Sequence, residues 1–224
     1  MREIVLDTET TGLDHKGDDR IVEIGCIELV NQMATQETFH QYINPERDMP
    51  VKAFDVHGLS EEFLSGYPVF AEVADGFITF IGDAKLIIHN ADFDMGFINA
   101  ELKRLGREPI PMERAVDTVR IARRKFPGAP ASLDALCKRF QIDNSDRTLH
   151  GALLDSRLLA DVYLELIGGR QRGLELAGPA AAAQQTTVQS AQEVRQQRVF
   201  TASPEELTAH AAFIETLEEA VWND

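Results

Sequence analysis

Cysteine is scarce: only Cys26 and Cys137 occur among 224 residues, each set among apolar neighbours and neither part of a ligand-spaced cluster. That excludes a disulfide framework and a cysteine metal site, and it predicts a reduced, cytoplasmic protein. Long apolar runs are missing too. No stretch approaches the roughly 20 residues that a membrane-spanning helix needs. The N-terminus enters its first strand directly, so no signal peptide is expected. Positive charge is the third shortage. Lys and Arg number 22 against 37 Asp and Glu, a net charge of −15, which is wrong for a protein that grips long duplex DNA through its own field. Nucleic acid is therefore predicted to bind weakly unless a partner carries the chain to it. No internal repeat is evident.

A hydrophobic content of 44% supports an ordinary core, and 224 residues suit one domain with a tail better than two domains. Patterning predicts strands at about 2–8, 20–30 and 36–43, the last two forming an antiparallel continuation of the first. Helix and strand patterns alternate through 70–126, and helices at about 132–139 and 151–167 close the domain. Mixed elements in this order suit an α/β sheet covered on both faces.

Three segments carry chemistry. DTETTG, residues 7–12, follows the apolar run Ile4-Val5-Leu6. In a strand, positions i and i+2 share a face, so Asp7 and Glu9 present two carboxylates side by side. Held close in a partly dry site, the pair needs a cation, and oxygen-only ligands suit Mg²⁺ or Mn²⁺. HNADFDMGF, residues 89–97, follows a short strand-like run and opens a helix. Asp94 falls in line with Ile98, Leu102 and Leu105, whereas Asp92 falls on the opposite side, where the helix N-terminal dipole favours an acid. In HGALLDSRLLADVYLELI, residues 150–167, Asp155 lies on the stripe of Leu158, Leu159, Val162 and Leu166, while Asp161 lies off it. A carboxylate on a buried stripe requires a positive partner. No Lys or Arg shares its face within the next turn. His150 belongs to the loop leading into this helix, made plausible by Gly151, and beside a cation-held carboxylate it is a candidate proton acceptor.

These segments, in this order, resemble the three exonuclease motifs of the DEDDh, or DnaQ-like, 3′–5′ exonucleases. FDVHGL at 54–59 and SLDALCKRFQIDNSDRTLHGALLD extend the likeness, over nearly the whole chain, to the epsilon proofreading subunits of bacterial DNA polymerase III. The resemblance implies a ribonuclease-H-like mixed sheet flanked by helices and two divalent cations, Mg²⁺ or Mn²⁺. It places the metal carboxylates at Asp7, Glu9, Asp94 and Asp155, Asp94 acting through bound water, and the general base at His150. It also places the terminal nucleotide against Asp7, Thr8, Glu9, His57 and Asp155. Lys52 stands where family members often carry an acid, and a Lys there can meet a phosphate. Phe93 and Phe97 could stack on a base, but at helical spacing beside an apolar stripe they read as core. Arg120, Arg123, Arg124 and Lys125 either track the strand or form a solvated helix face.

Beyond Gly168-Gly169 the composition changes, and residues 177–192 have little that packs. The domain reading is an exonuclease domain at 1–169, a flexible linker at 170–192 and a tail at 193–224. Gln171, Leu174 and Leu176 resemble the QxxLxL motif that binds a bacterial sliding clamp. In the tail, Ser203-Pro204-Glu205-Glu206 reads as a capping box with proline at N1, ahead of Leu207, Ala211, Ile214, Leu217 and Val221 at helical spacing. A lone amphipathic helix suits docking to a partner. The resemblance makes that partner the polymerase catalytic (alpha) subunit, with a small theta-type subunit as a further candidate. Two other readings stand beside proofreading. A free-standing exonuclease could act on RNA or short oligonucleotides, since the motifs do not distinguish ribose from deoxyribose. A non-catalytic scaffold could stabilise a polymerase, though the intact acids argue against it.

Overall fold

The structure, a computed structural model, describes residues 1–145, 147, 149–168 and 202–216. The chain divides into two units, Met1–Leu174 and Glu175–Asp224. The first is built on a five-stranded sheet. Strands β1 (Arg2–Thr10), β2 (Ile21–Val30) and β3 (Met33–Tyr42) form an antiparallel meander, and β4 (Lys85–Ile88) and β5 (Ala115–Asp117) add to β1 in parallel, giving the order β3-β2-β1-β4-β5. The third strand starts earlier than the predicted position 36. Asn31 and Gln32 both take positive φ (52° and 68°), the two-residue hairpin turn whose twist suits antiparallel neighbours. Pairing therefore resumes at once at Met33.

Alternation along β1 sorts its side chains. Ile4 and Leu6 enter one core with Ile24, Phe77, Leu86 and Ile98, on the side of α3 (Phe70–Ile81) and α4 (Ala91–Arg104). Val5 enters the other with Ile27, Ile87, Leu136, Leu158 and Val162, under α5 (Thr118–Lys125), α6 (Leu133–Phe140) and α7 (Ala152–Leu166). A strand buried on both faces must be apolar on both, which is why Ile4-Val5-Leu6 reads as a continuous run. Glu3, Asp7 and Glu9 share the Val5 side by the same two-residue period. Glu3 is matched there by Tyr163, whose hydroxyl donates to its Oε1 at 2.9 Å.

Two short helices, α1 (Val51–His57) and α2 (Glu61–Leu64), were not anticipated. Seven and four residues hold too little periodicity to show. Helix α1 ends on Gly58 at φ 72°, the left-handed cap that glycine adopts without strain. No described helix is long and apolar enough to cross a membrane. In the second unit α8 (Pro204–Ile214) carries the expected capping box: Ser203 Oγ accepts from Glu206 N at 3.2 Å, and Ser203 N donates to Glu206 Oε2 at 2.8 Å. None of its residues is buried. The clamp-motif residues Gln171, Leu174 and Leu176, the linker at 170–192, and Leu217 and Val221 of the tail stripe lie outside the described residues.

Candidate active site

At its C-terminal end β1 stops burying apolar side chains and presents acids. Asp7 and Glu9 face α7, paired across β2 with Gly25 and Glu23. Thr8 points the other way, toward α4, where its backbone N–H (3.0 Å) and hydroxyl (2.7 Å) both donate to Asp94 Oδ1. Asp94 is buried in the first turn of α4, in line with Ile98 and Leu102. Asp92 points outward to an exposed ion pair with Arg120 (2.8 Å).

Asp155 is buried in the first turn of α7, and the positive partner it requires comes from upstream in the loop. The Arg147 guanidinium grips its carboxylate with Nε (2.6 Å) and Nη2 (2.7 Å), contacts Asp134 at 2.8 Å and lies 2.9 Å from His150 Nδ1. Its side chain is only 8% exposed. These acids hold the guanidinium above its ordinary, already high pKa. His150 is half exposed, with Nδ1 3.5 Å from Asp155 Oδ2. Its backbone N–H donates to Val56 O of α1 at 3.0 Å, so the unanticipated helix props the loop.

One cleft of about 330 Å³ gathers Asp7, Glu9, Asp94, His150 and Asp155. Glu9, His150 and Asp155 each offer a ligand atom within 4.8 Å of the others. Among the described residues, Asp7, Glu9 and Asp94 pair with no Lys or Arg. Burial, and then the neighbouring Asp94, Glu9 and Asp155, hold Asp7 well above the usual carboxylate range. Burial followed by Glu23 pushes Glu9 up to about 8. Burial raises Asp94 to about 7 against the opposing hydrogen bonds from Thr8. Three carboxylates held this way lack positive charge, and the fourth already takes a cationic group in two-point contact. An all-oxygen set of this kind fits a hard divalent cation.

A second pocket, about 570 Å³, adjoins the first, sharing Thr8, Glu9 and Phe93 and adding Lys52 and His57. His57 is buried. Its Nδ1 accepts from Leu59 N at 3.0 Å, while Nε2 has no hydrogen-bond partner. Burial pushes this imidazole below its ordinary pKa. Phe97 is core, as expected, but Phe93 is only partly buried and walls both pockets. Of the basic cluster, Arg120 pairs with Asp92 and Asp117, and Lys125 caps α7 by donating to Glu165 O and Leu166 O at 3.0 and 2.9 Å. Those two contacts favour the structural alternative for these two residues. The motif reading missed Arg147 and Glu23. Arg147 lies in a loop without periodicity, and Glu23 looks like one more acid on a half-polar strand.

The model of the family described as "Exonuclease" matches residues 4–163. The DNA polymerase III subunit epsilon of Rickettsia felis is 49% identical over 222 residues, covering 97% of each chain. That of Escherichia coli K12 is 45% identical over 230 residues, covering 97% of this chain and 94% of that one. Among solved structures, the nuclease domain of 3′hExo, a DEDDh family member bound to rAMP, superposes with a TM-score of 0.64 at 17% identity over 74% of this chain and 91% of that one. This last likeness shows the fold, the ribonuclease-H-like sheet of DEDDh nucleases. The chain therefore belongs to the exonuclease family, in the company of the DNA polymerase III epsilon subunits.

Proposed function

We infer that this chain is a 3′–5′ exonuclease that proofreads DNA synthesis as the epsilon subunit of DNA polymerase III. The observation that carries the chemistry is the convergence of four carboxylates and one half-exposed imidazole, from β1, α4, α7 and the loop before it, on a single cleft. Members of this family work with divalent metal ions. Asp7, Glu9 and Asp155 would hold one Mg²⁺ or Mn²⁺ and Asp7 a second, with Asp94 acting through water; when bound, the ions lower the pKa of the attacking water and stabilise the leaving 3′ oxygen. His150, open to solvent beside Asp155, takes the proton from that water. The neighbouring pocket receives the terminal nucleotide between Phe93 and α1. There His57 stands beside the nucleotide in the pocket lining, Thr8 and Glu9 form the shared wall, and Lys52 meets phosphate.

Residues 1–169 serve as the catalytic domain. Residues 170–192 link it to a tail, 193–224, that docks on the polymerase alpha subunit. Gln171, Leu174 and Leu176 engage the sliding clamp, and a theta-type subunit is a further partner. A net charge of −15 supports delivery by a partner rather than independent binding to DNA. A cytoplasmic site of action follows from the replicative role.

The deciding experiment is digestion of a mismatched 3′-labelled DNA primer, beside a matched RNA primer, with and without the polymerase. Stepwise release from the DNA 3′ end is expected, abolished by chelator and restored by Mg²⁺ or Mn²⁺. His150→Ala should lower the rate about 10²- to 10⁴-fold while metal still binds. Chelator-resistant digestion, or near-parental turnover by His150→Ala, would overturn the assignment of these roles.

A further inference from the structure

Glu23 is a buried carboxylate that the reading above leaves without a task. It lies directly opposite Glu9 in the β1–β2 register, and its side chain is 4% exposed. Both its oxygens are committed. Oε2 accepts the backbone N–H of Ala152 at 3.1 Å, and Oε1 lies 2.7 Å from His40 Nε2 on β3.

The first of these contacts meets a need of α7. A helix leaves its first four N–H groups without internal partners. Here the N-cap is Gly151, which has no side chain to offer and makes no capping bond. Glu23 supplies the acceptor from another element, 129 residues away in sequence. Two more contacts fix the same turn. Ser156 Oγ donates to Gly25 O at 2.9 Å. Gly25 lets the helix backbone sit directly on the strand, since a Cβ there would lie 2.3 Å from Ala152 C and Leu153 N. Asp155 falls between Ala152 and Ser156, while Glu9 and Asp7 are the register partners of Glu23 and Gly25. Thus β2 is the common reference for acids that arrive on different elements.

We propose that Glu23 is a positioning residue of the nuclease: by capping α7 it holds Asp155 against Asp7 and Glu9, with His40 occupying its other oxygen. The proposal deepens the exonuclease reading and rests on it. The charge of Glu23 acts against Glu9, whose carboxyl it helps to push upward. Its contribution to the site is accordingly the hydrogen bond rather than the charge.

The test uses the full chain and follows Mn²⁺ binding by calorimetry beside steady-state kinetics, with circular dichroism to check folding. Glu23→Ala should weaken Mn²⁺ binding about 10-fold or more and lower kcat with little change in KM. Glu23→Gln keeps an amide oxygen for Ala152 N and should recover most of that affinity, to within about threefold of the parent. Ser156→Ala should give a smaller loss in the same direction. Parental Mn²⁺ affinity in Glu23→Ala overturns the proposal, as does a Glu23→Gln variant that binds as poorly as Glu23→Ala. Should Glu23→Ala fail to fold, the similarly sized Glu23→Met, which likewise offers no oxygen to Ala152 N, decides: weakened binding supports the proposal, and parental binding overturns it. A parent protein that binds Mn²⁺ yet degrades no DNA would sink the exonuclease reading alone, because the binding comparison does not depend on turnover.

Discussion

At the scale of single residues, the cleft holds more negative charge than it can keep ionised by itself. Glu9 and Asp94 lie at about 8 and about 7 against ordinary values of 4.5 and 3.8, and Asp7 lies well above its own. A carboxyl raised by folding binds more protons folded than unfolded between its two pKa values. The stability it lends is therefore complete below the unfolded value and lost as pH rises through the folded one. For the cation-free protein the melting temperature should fall as pH is raised from about 4.5 to about 8. Saturating Mg²⁺ or Mn²⁺ binds the ionised form, so it should raise stability by an amount that grows over the same window. Melts at four or five pH values, with metal and with chelator, check both slopes; parallel curves would count against cation binding at these acids. The positions of the acids are legible in the sequence because each sits where the period of its element turns inward. Arg147 is not legible, since a loop has no period and nothing in its neighbours' spacing says that it folds back eight residues onto Asp155.

Elements explain why the acids meet. β1 hands Asp7 and Glu9 to one face and Thr8 to the other, and the hydrogen bonds from Thr8 reach Asp94 on the opposite helix layer. α7 is seated on β2 with no side chain between them at Gly25. Because the atoms a new methyl would meet belong to backbone, Gly25→Ala cannot be relieved by a rotamer change. It should cost at least about 1–3 kcal/mol, seen as a melting temperature lowered by several degrees. It should also reduce activity on the order of 10²-fold, because a displacement near 1 Å is enough to misalign reacting groups. A parental melt would mean that α7 yields there freely. The long periodic elements were readable from sequence: β1, β2, the helices from α3 onward and the alternation that closes the sheet. Helices α1 and α2 and the start of β3 were not. The two helices are too brief for a periodic signal, and the β3 start depends on two residues accepting positive φ, which residue type alone does not announce. Motif likeness singled out FDVHGL as a segment, but that its helix holds the His150 loop through Val56 becomes visible only in three dimensions.

At the scale of the whole molecule, the proposed division of labour rests on charge and segmentation. A chain at −15 net charge gains no reach from its own field, so the proposed work at a primer end would depend on being brought there. Deleting residues 180–224 should leave hydrolysis of a free oligonucleotide within about twofold of the parent, while abolishing co-purification with the polymerase alpha subunit and slowing digestion at polymerase-bound ends. Loss of hydrolysis itself would show that the tail belongs to the catalytic unit. The long separation along the chain between the strand acids and α7 has an outcome during synthesis. Of the elements that form the sheet unit, a ribosome delivers β1 first and α7 last, and domains fold as their final pieces emerge. On the proposed arrangement the cation cage would stay incomplete until Ala152 meets Glu23, so the ability to cut would arrive only with the finished catalytic fold.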